Sequence, residues 1–138
     1  MNERHKEQIF VIVERFCIEN GWPFDEKTKD FILDMYGYSA SLPGVVYFKY
    51  GTDEEGNVTA LMVGEITDHP FSEITVATEW FVYSSDGRGK EFMKDFQEWA
   101  NNHGADVIYA TAPTRSVEYW LQSQGYKFKE AAYIKWLA

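Results

Sequence analysis

Apolar positions recur at helical spacing near the start of the chain. Ile9, Phe10, Val13, Phe16 and Cys17 fall on one face, with Lys6, Glu7 and Glu14 between them, which predicts a helix over about residues 3–19. Asn20-Gly21, with Pro23 just beyond, is a helix stop. Asp25 is placed to cap a second helix, whose inner face would carry Thr28, Phe31, Ile32 and Met35 and which Gly37 and Pro43 would close. The period then shortens to two. Val45 to Tyr50 reads as a strand, the polar run Gly51 to Asn57 as a turn, and Val58 to Ile66 as the antiparallel partner. Asp68-His69-Pro70 breaks the pairing, and Glu73 to Tyr83 is a third strand. Phe92, Met93, Phe96, Trp99 and Ala100 mark a further amphipathic helix ending at His103-Gly104. Val107 to Thr111 follows as a strand, Arg115 to Gln124 as a last helix stopped by Gly125, and Tyr126 to Leu137 as one or two extended segments. No repeat or linker interrupts residues 1–138, so one domain is expected. Strands grouped first and then alternating with helices predict an α+β fold: a mixed, mostly antiparallel sheet flanked by helices.

Composition narrows the function classes. The chain of 138 residues is 17% aromatic, enough to fill a sizeable core at this length. Thirteen Lys and Arg against twenty-two Asp and Glu give a net charge of −9, which disfavours nucleic acid and anionic membrane surfaces as partners. Cys17 has no second cysteine to pair with, the first residues do not resemble a signal peptide, and no apolar run approaches membrane length; a cytoplasmic protein is expected. His5, His69 and His103 lack metal-ligand spacing with each other or with Cys17, so no metal is expected. Ser84 and Ser85 lack a His–Asp pattern, so a serine hydrolase is not supported.

The stretch richest in chemistry is the loop Ser84-Ser85-Asp86-Gly87-Arg88-Gly89-Lys90 between a strand and a helix. A turn of this kind exposes the unpaired N–H groups of a helix N-terminus, which bind phosphate together with the helix dipole. Gly87 and Gly89 would let a ligand approach the backbone, and Arg88 and Lys90 add positive charge. The plain alternative is a routine glycine turn. The loop is neither a P-loop nor a dinucleotide fingerprint, since the required spacings are absent. A second candidate is Glu79, a carboxylate in mid-strand on the face of Thr75, Ala77 and Phe81. Burying a charge there is costly, so it either serves as a general base or pairs with a cation. Glu65 and Glu73 are the next carboxylates for that work. Tyr109 is one candidate proton donor.

Trp80-Phe81-Val82-Tyr83-Ser84-Ser85-Asp86-Gly87-Arg88-Gly89-Lys90-Glu91-Phe92 resembles the pyrophosphate loop of the Gcn5-related N-acetyltransferases, Val-x-Pro-x-x-Arg-Gly-x-Gly-x-Gly followed by an amphipathic helix. Either Arg88-Gly89 matches the Arg-Gly core, or Gly87 and Gly89 match the paired glycines; the proline and the third glycine are absent. Val117 to Tyr126 is similar to the family's last helix with its Gly-Phe end, here Gly125-Tyr126. Thr114 stands where the family has Asn, and Leu121 where it has its acid tyrosine. The family's first strand is missing. The resemblance implies a single acetyltransferase-like domain that uses acetyl-CoA as co-substrate. Its implied contacts are Val82, Gly87, Arg88, Gly89, Lys90, Glu91 and Thr114; Glu79 would be the base and Tyr119 would replace the lost acid. The acceptor would be a small-molecule or protein amine, and a homodimer is compatible with this reading. Trp80-Phe81-Val82-x-Ser84 also resembles, more loosely, acetyltransferase-like proteins of tailed phages. That implies an alternative: an inactive structural or partner-binding module of the same fold, located in a virion.

Overall fold

The structure, a computed structural model, describes residues 1–130 and 132–137. In chain order the elements are α1 (Glu3–Asn20), α2 (Glu26–Ser41), β1 (Val46–Thr52), β2 (Val58–Asp68), β3 (Thr75–Ser84), α3 (Gly89–Asn102), β4 (Val107–Tyr109) and α4 (Arg115–Ser123). The four strands form one sheet in the order β1-β2-β3-β4. The first two pairings are antiparallel and β3 to β4 is parallel.

Period-two alternation divides the sheet into two apolar faces. Val46, Val58, Leu61 and Val63 face α1 and α2 and pack with Ile9, Phe10, Ile32 and Met35. Ala60, Met62 and Ala77 face α3 and α4 and pack with Phe92, Met93, Phe96, Ala100 and Leu121. Gly64 lets the second layer close. A Cβ at that position would sit 2.5 Å from the Phe96 ring and 2.7 Å from the Thr78 carbonyl, and Phe96 is fully buried over it. Among the described residues no helix is long and apolar enough to cross a membrane.

Most predicted boundaries hold within a residue or two, and three expectations change. Gly37 does not end α2, which continues to Ser41. The stop comes from Pro43, which drives the residue before it out of helical angles: Leu42 has φ −130° and ψ 62°. The described residues of 126–137 join no strand. Their extended pattern needs an edge to pair with, and β4 offers only three residues. The third change is a β-bulge in β3, and it shapes the site.

Candidate active site

Across from β2, Val63 pairs with Phe81 but Gly64 pairs with Glu79, so Trp80 is an extra residue in β3. The bulge reverses the faces. Ala77, Glu79 and Val82 lie on the α3 side, whereas Phe81 crosses to the α1 side, where its ring meets Phe16 edge-on. The expectation that Glu79 and Phe81 share a face is therefore wrong. The alternation in the sequence is real on each side of Trp80 but changes phase there.

The bulge coincides with a parting of strands. β4 pairs with β3 only at Val76, Ala77 and Thr78. From Glu79 to Ser84 that edge of β3 has no strand partner among the described residues. The chain after β4 diverges, and the N-terminal turns of α3 and α4 stand at the opening. The result is a cleft of about 160 Å³ lined by Glu79, Val82, Gly89, Lys90, Met93, Thr111, Ser116, Val117, Trp120 and Leu121.

Glu79 is 5% exposed at the base of this cleft. No Lys or Arg among the described residues forms an ion pair with it. Burial pushes its carboxyl up to about 7, and the backbone N–H of Thr111 offsets only part of that. The ion-pair alternative for Glu79 thus lacks its cation. Tyr126, brought back by the turn that ends α4, is raised first by burial and then by the negative charge of Glu79, so the two groups are neighbours.

The mouth of the cleft is the start of α3. Its N-cap, Arg88, makes no side-chain cap bond. The N–H groups of Gly89, Lys90 and Glu91 therefore stay open among the described residues, while Phe92 already bonds the Arg88 carbonyl. The two loop glycines play different parts. Gly87 has φ +83°, which a side chain rarely adopts. Gly89 needs no such angle, and a Cβ there would meet only Ser84 at 3.8 Å. Nothing among the described residues demands its glycine, so it leaves a space that a ligand at the helix start can enter.

Several predicted residues lie elsewhere. Arg88 does not offer its guanidinium to the cleft: it is bonded to Asp86, Thr52 and Thr59, and Lys90 is the cation that lines the cleft. Hydrogen bonds from Arg88 first, then Thr59 and Ser84, hold the Asp86 carboxyl well below the usual range. Thr114 uses its side chain to cap α4, accepting from Val117 N–H at 3.3 Å. Tyr119 is 59% exposed and outside the cleft, because helical geometry turns it away from Trp120 and Leu121. Tyr109 donates to Glu130 at 2.7 Å on the outer surface. Glu65 takes the parity of Val63 and faces the α1 side, and Glu73 lies on the loop before β3. Trp120 and Tyr126 lie in the stretch that resembles the family's last helix but were given no role there, and Met93, Thr111 and Ser116 were not singled out for the site. Of the last three, only Met93 had a legible signal, the helical spacing of the inner face.

No family model and no curated relative matches the sequence. Solved structures do match. An acetyltransferase of Trypanosoma brucei superposes with TM-score 0.72 over 99% of this chain and 96% of its own, at 12% identity. AAC(6')-Iy, in complex with the bisubstrate analog CoA-S-monomethyl-acetylneamine, superposes with TM-score 0.66 over 100% of this chain and 95% of its own, at 15% identity. The chain has the Gcn5-related N-acetyltransferase fold. Glucosamine-6-phosphate N-acetyltransferase from Arabidopsis thaliana shares this fold too, with TM-score 0.67 over 87% of this chain and 86% of its own, at 10% identity. At these identities the likeness is one of backbone architecture.

Proposed function

We propose that this protein is an N-acetyltransferase that takes an acetyl group from acetyl-CoA and gives it to an amine. The observation that carries the reading is Glu79: a buried carboxylate without a cation partner among the described residues, on a bulged strand, at the base of a cleft whose mouth is a helix N-terminus without a side-chain cap. The residues present suit the co-substrate. The open N–H groups of Gly89, Lys90 and Glu91 and the α3 dipole would hold the pyrophosphate, with the Lys90 ammonium beside them. The free edge of β3 near Val82 would present backbone N–H to the thioester oxygen. AAC(6')-Iy, of the same fold, was captured with a CoA conjugate, which supports acyl-CoA as the donor.

In the reaction, an ammonium substrate gives a proton to the ionised Glu79 carboxylate. The freed nitrogen lone pair attacks the thioester carbonyl carbon. The attacking nitrogen gives up its second proton to solvent, the C–S bond breaks, and the CoA thiolate leaves and takes a proton from solvent. A base with its pKa near 7 is well matched to this work at neutral pH. The net charge of −9 favours a cationic acceptor.

The test is acetyl transfer followed across pH. Turnover should rise as Glu79 ionises through about pH 7. Glu79→Gln should lower turnover by roughly 100- to 10,000-fold at neutral pH, with less loss at high pH, where the amine deprotonates unaided. Unchanged turnover in the variant would remove Glu79 from the chemistry. Binding of acetyl-CoA without transfer to any amine would favour the inactive binding module.

A further inference from the structure

We propose that Arg88 is a positioning residue: it clasps the loop before α3 to the β1–β2 hairpin, and the hairpin thereby sets the geometry of the helix start. The ligand part of this inference rests on the acetyl-CoA reading; the clasp itself does not.

Nε and Nη2 of the guanidinium are occupied within the protein. Its Nε donates to Asp86 Oδ2 at 2.9 Å, and its Nη2 donates to the Thr52 carbonyl at 3.2 Å and to the Thr59 hydroxyl. It lies flat against β1 at Gly51, where a Cβ would come within 2.6 Å of Nη1 and 2.9 Å of Cζ. Its other neighbour is the Phe92 ring in the first turn of α3. The backbone takes part as well. Arg88 N–H donates to Ser84 Oγ at 2.8 Å, Ser84 Oγ–H donates to Asp86, and Ser85 N–H donates to the Thr59 carbonyl at 2.9 Å. One planar fork thus joins the end of β1, the start of β2 and the loop. Lysine could not make these bonds together, having a single point of charge.

The consequence is mechanical. Ser85, Asp86 and Gly87 are exposed, so hydrogen bonds rather than burial hold them. The direction of the Gly89, Lys90 and Glu91 N–H groups follows from the dihedrals of this loop, including φ +83° at Gly87. Substitutions on the hairpin at Thr59 or Gly51 should therefore alter anion binding at α3 without touching the ligand.

The experiment combines titration with desulfo-CoA and amide hydrogen exchange on wild type, Arg88→Lys, Thr59→Val, their double variant, and Gly51→Ala. Arg88→Lys and Thr59→Val should each weaken desulfo-CoA about tenfold, and the double variant no more than the worse single, because both break one clasp. Gly51→Ala should act in the same direction by displacing the guanidinium. In acetyl transfer these variants should raise KM for acetyl-CoA and leave kcat at saturation unchanged. Exchange at residues 85–91 should speed up at least tenfold, with Ala60 to Val63 unchanged. If Arg88 touched the phosphate directly, Thr59→Val would leave affinity intact and Arg88→Lys would retain most of it; that result overturns the proposal. If wild type binds no desulfo-CoA, the acetyl-CoA reading falls alone, and exchange decides the clasp: unchanged protection at 85–91 in Thr59→Val and Arg88→Lys overturns it. Thr59→Val keeps the side-chain shape, so it remains a test should the arginine variant fail to fold.

Discussion

An ionisable group that burial holds uncharged makes the folded state sensitive to pH, and Glu79 is such a group. Its carboxyl is raised from 4.5 to about 7 in the folded chain. Below the unfolded value it is neutral in both states and costs nothing extra. As pH rises through about 7 it ionises in the fold, and the penalty is then on the order of 3 kcal/mol. Glu79→Gln carries no such penalty. The stability of wild type relative to Glu79→Gln should therefore fall between pH 4.5 and 8 by roughly that amount, as denaturant titration at several pH values would record. A relative stability flat across this range would mean that Glu79 is solvated or paired. The same substitution that lowers turnover should thus relieve the fold at high pH, as expected where a destabilising group is kept for function. Glu79 could be singled out from the sequence because a charge within a β-branched run is conspicuous. Its setting could not. Trp80 looks like an ordinary strand residue, no glycine or proline announces the bulge, and only the pairing with Gly64 reveals it. Tyr126 was equally hidden, since its nearness to Glu79 depends on how the turn after α4 folds back.

At the scale of elements, the loop and α3 act as one unit in which each glycine has its own task. Gly87→Ala should strain the left-handed turn and lower stability by about 1 kcal/mol. Gly89→Val adds atoms where the protein leaves space, so it should damage CoA binding far more than it damages the fold. Lys90→Ala removes one exposed cation, whose attraction to phosphate salt screens. Calorimetric titration of desulfo-CoA should rank Gly89→Val as more harmful than Lys90→Ala; the opposite order would mean that side-chain charge, not the backbone, holds the anion. Helices were the most legible elements, because caps and apolar spacing act locally: Asp25 and Thr28 form the reciprocal cap that opens α2. The open helix start behind the loop was legible as well. The role of Arg88 was not, since its partners Thr52 and Thr59 lie 36 and 29 residues away in sequence. The segment after Tyr126 misled for a related reason. Alternation of Tyr126, Lys127, Phe128 and Lys129 is strand-like, but a strand also needs a partner edge, which no local pattern encodes.

Over the whole molecule, one sheet separates two apolar layers, and the layers have different jobs. The α1–α2 layer is a packed support. The α3–α4 layer contains the cleft, at the point where β3 and β4 part company. This architecture was legible as an element order, and the three structural neighbours named above share it at identities of 10 to 15%. Such distance fits physics that asks for alternation, caps and layer packing rather than particular side chains, so the fold leaves substrate choice open. Whether this cleft takes acetyl-CoA is the claim on which the rest depends. Its most direct test is calorimetric titration of the intact protein with acetyl-CoA and, separately, desulfo-CoA. Both should bind with micromolar dissociation constants, on the order of −7 to −8 kcal/mol. No heat, together with no shift in melting temperature at millimolar acetyl-CoA, would contradict the account.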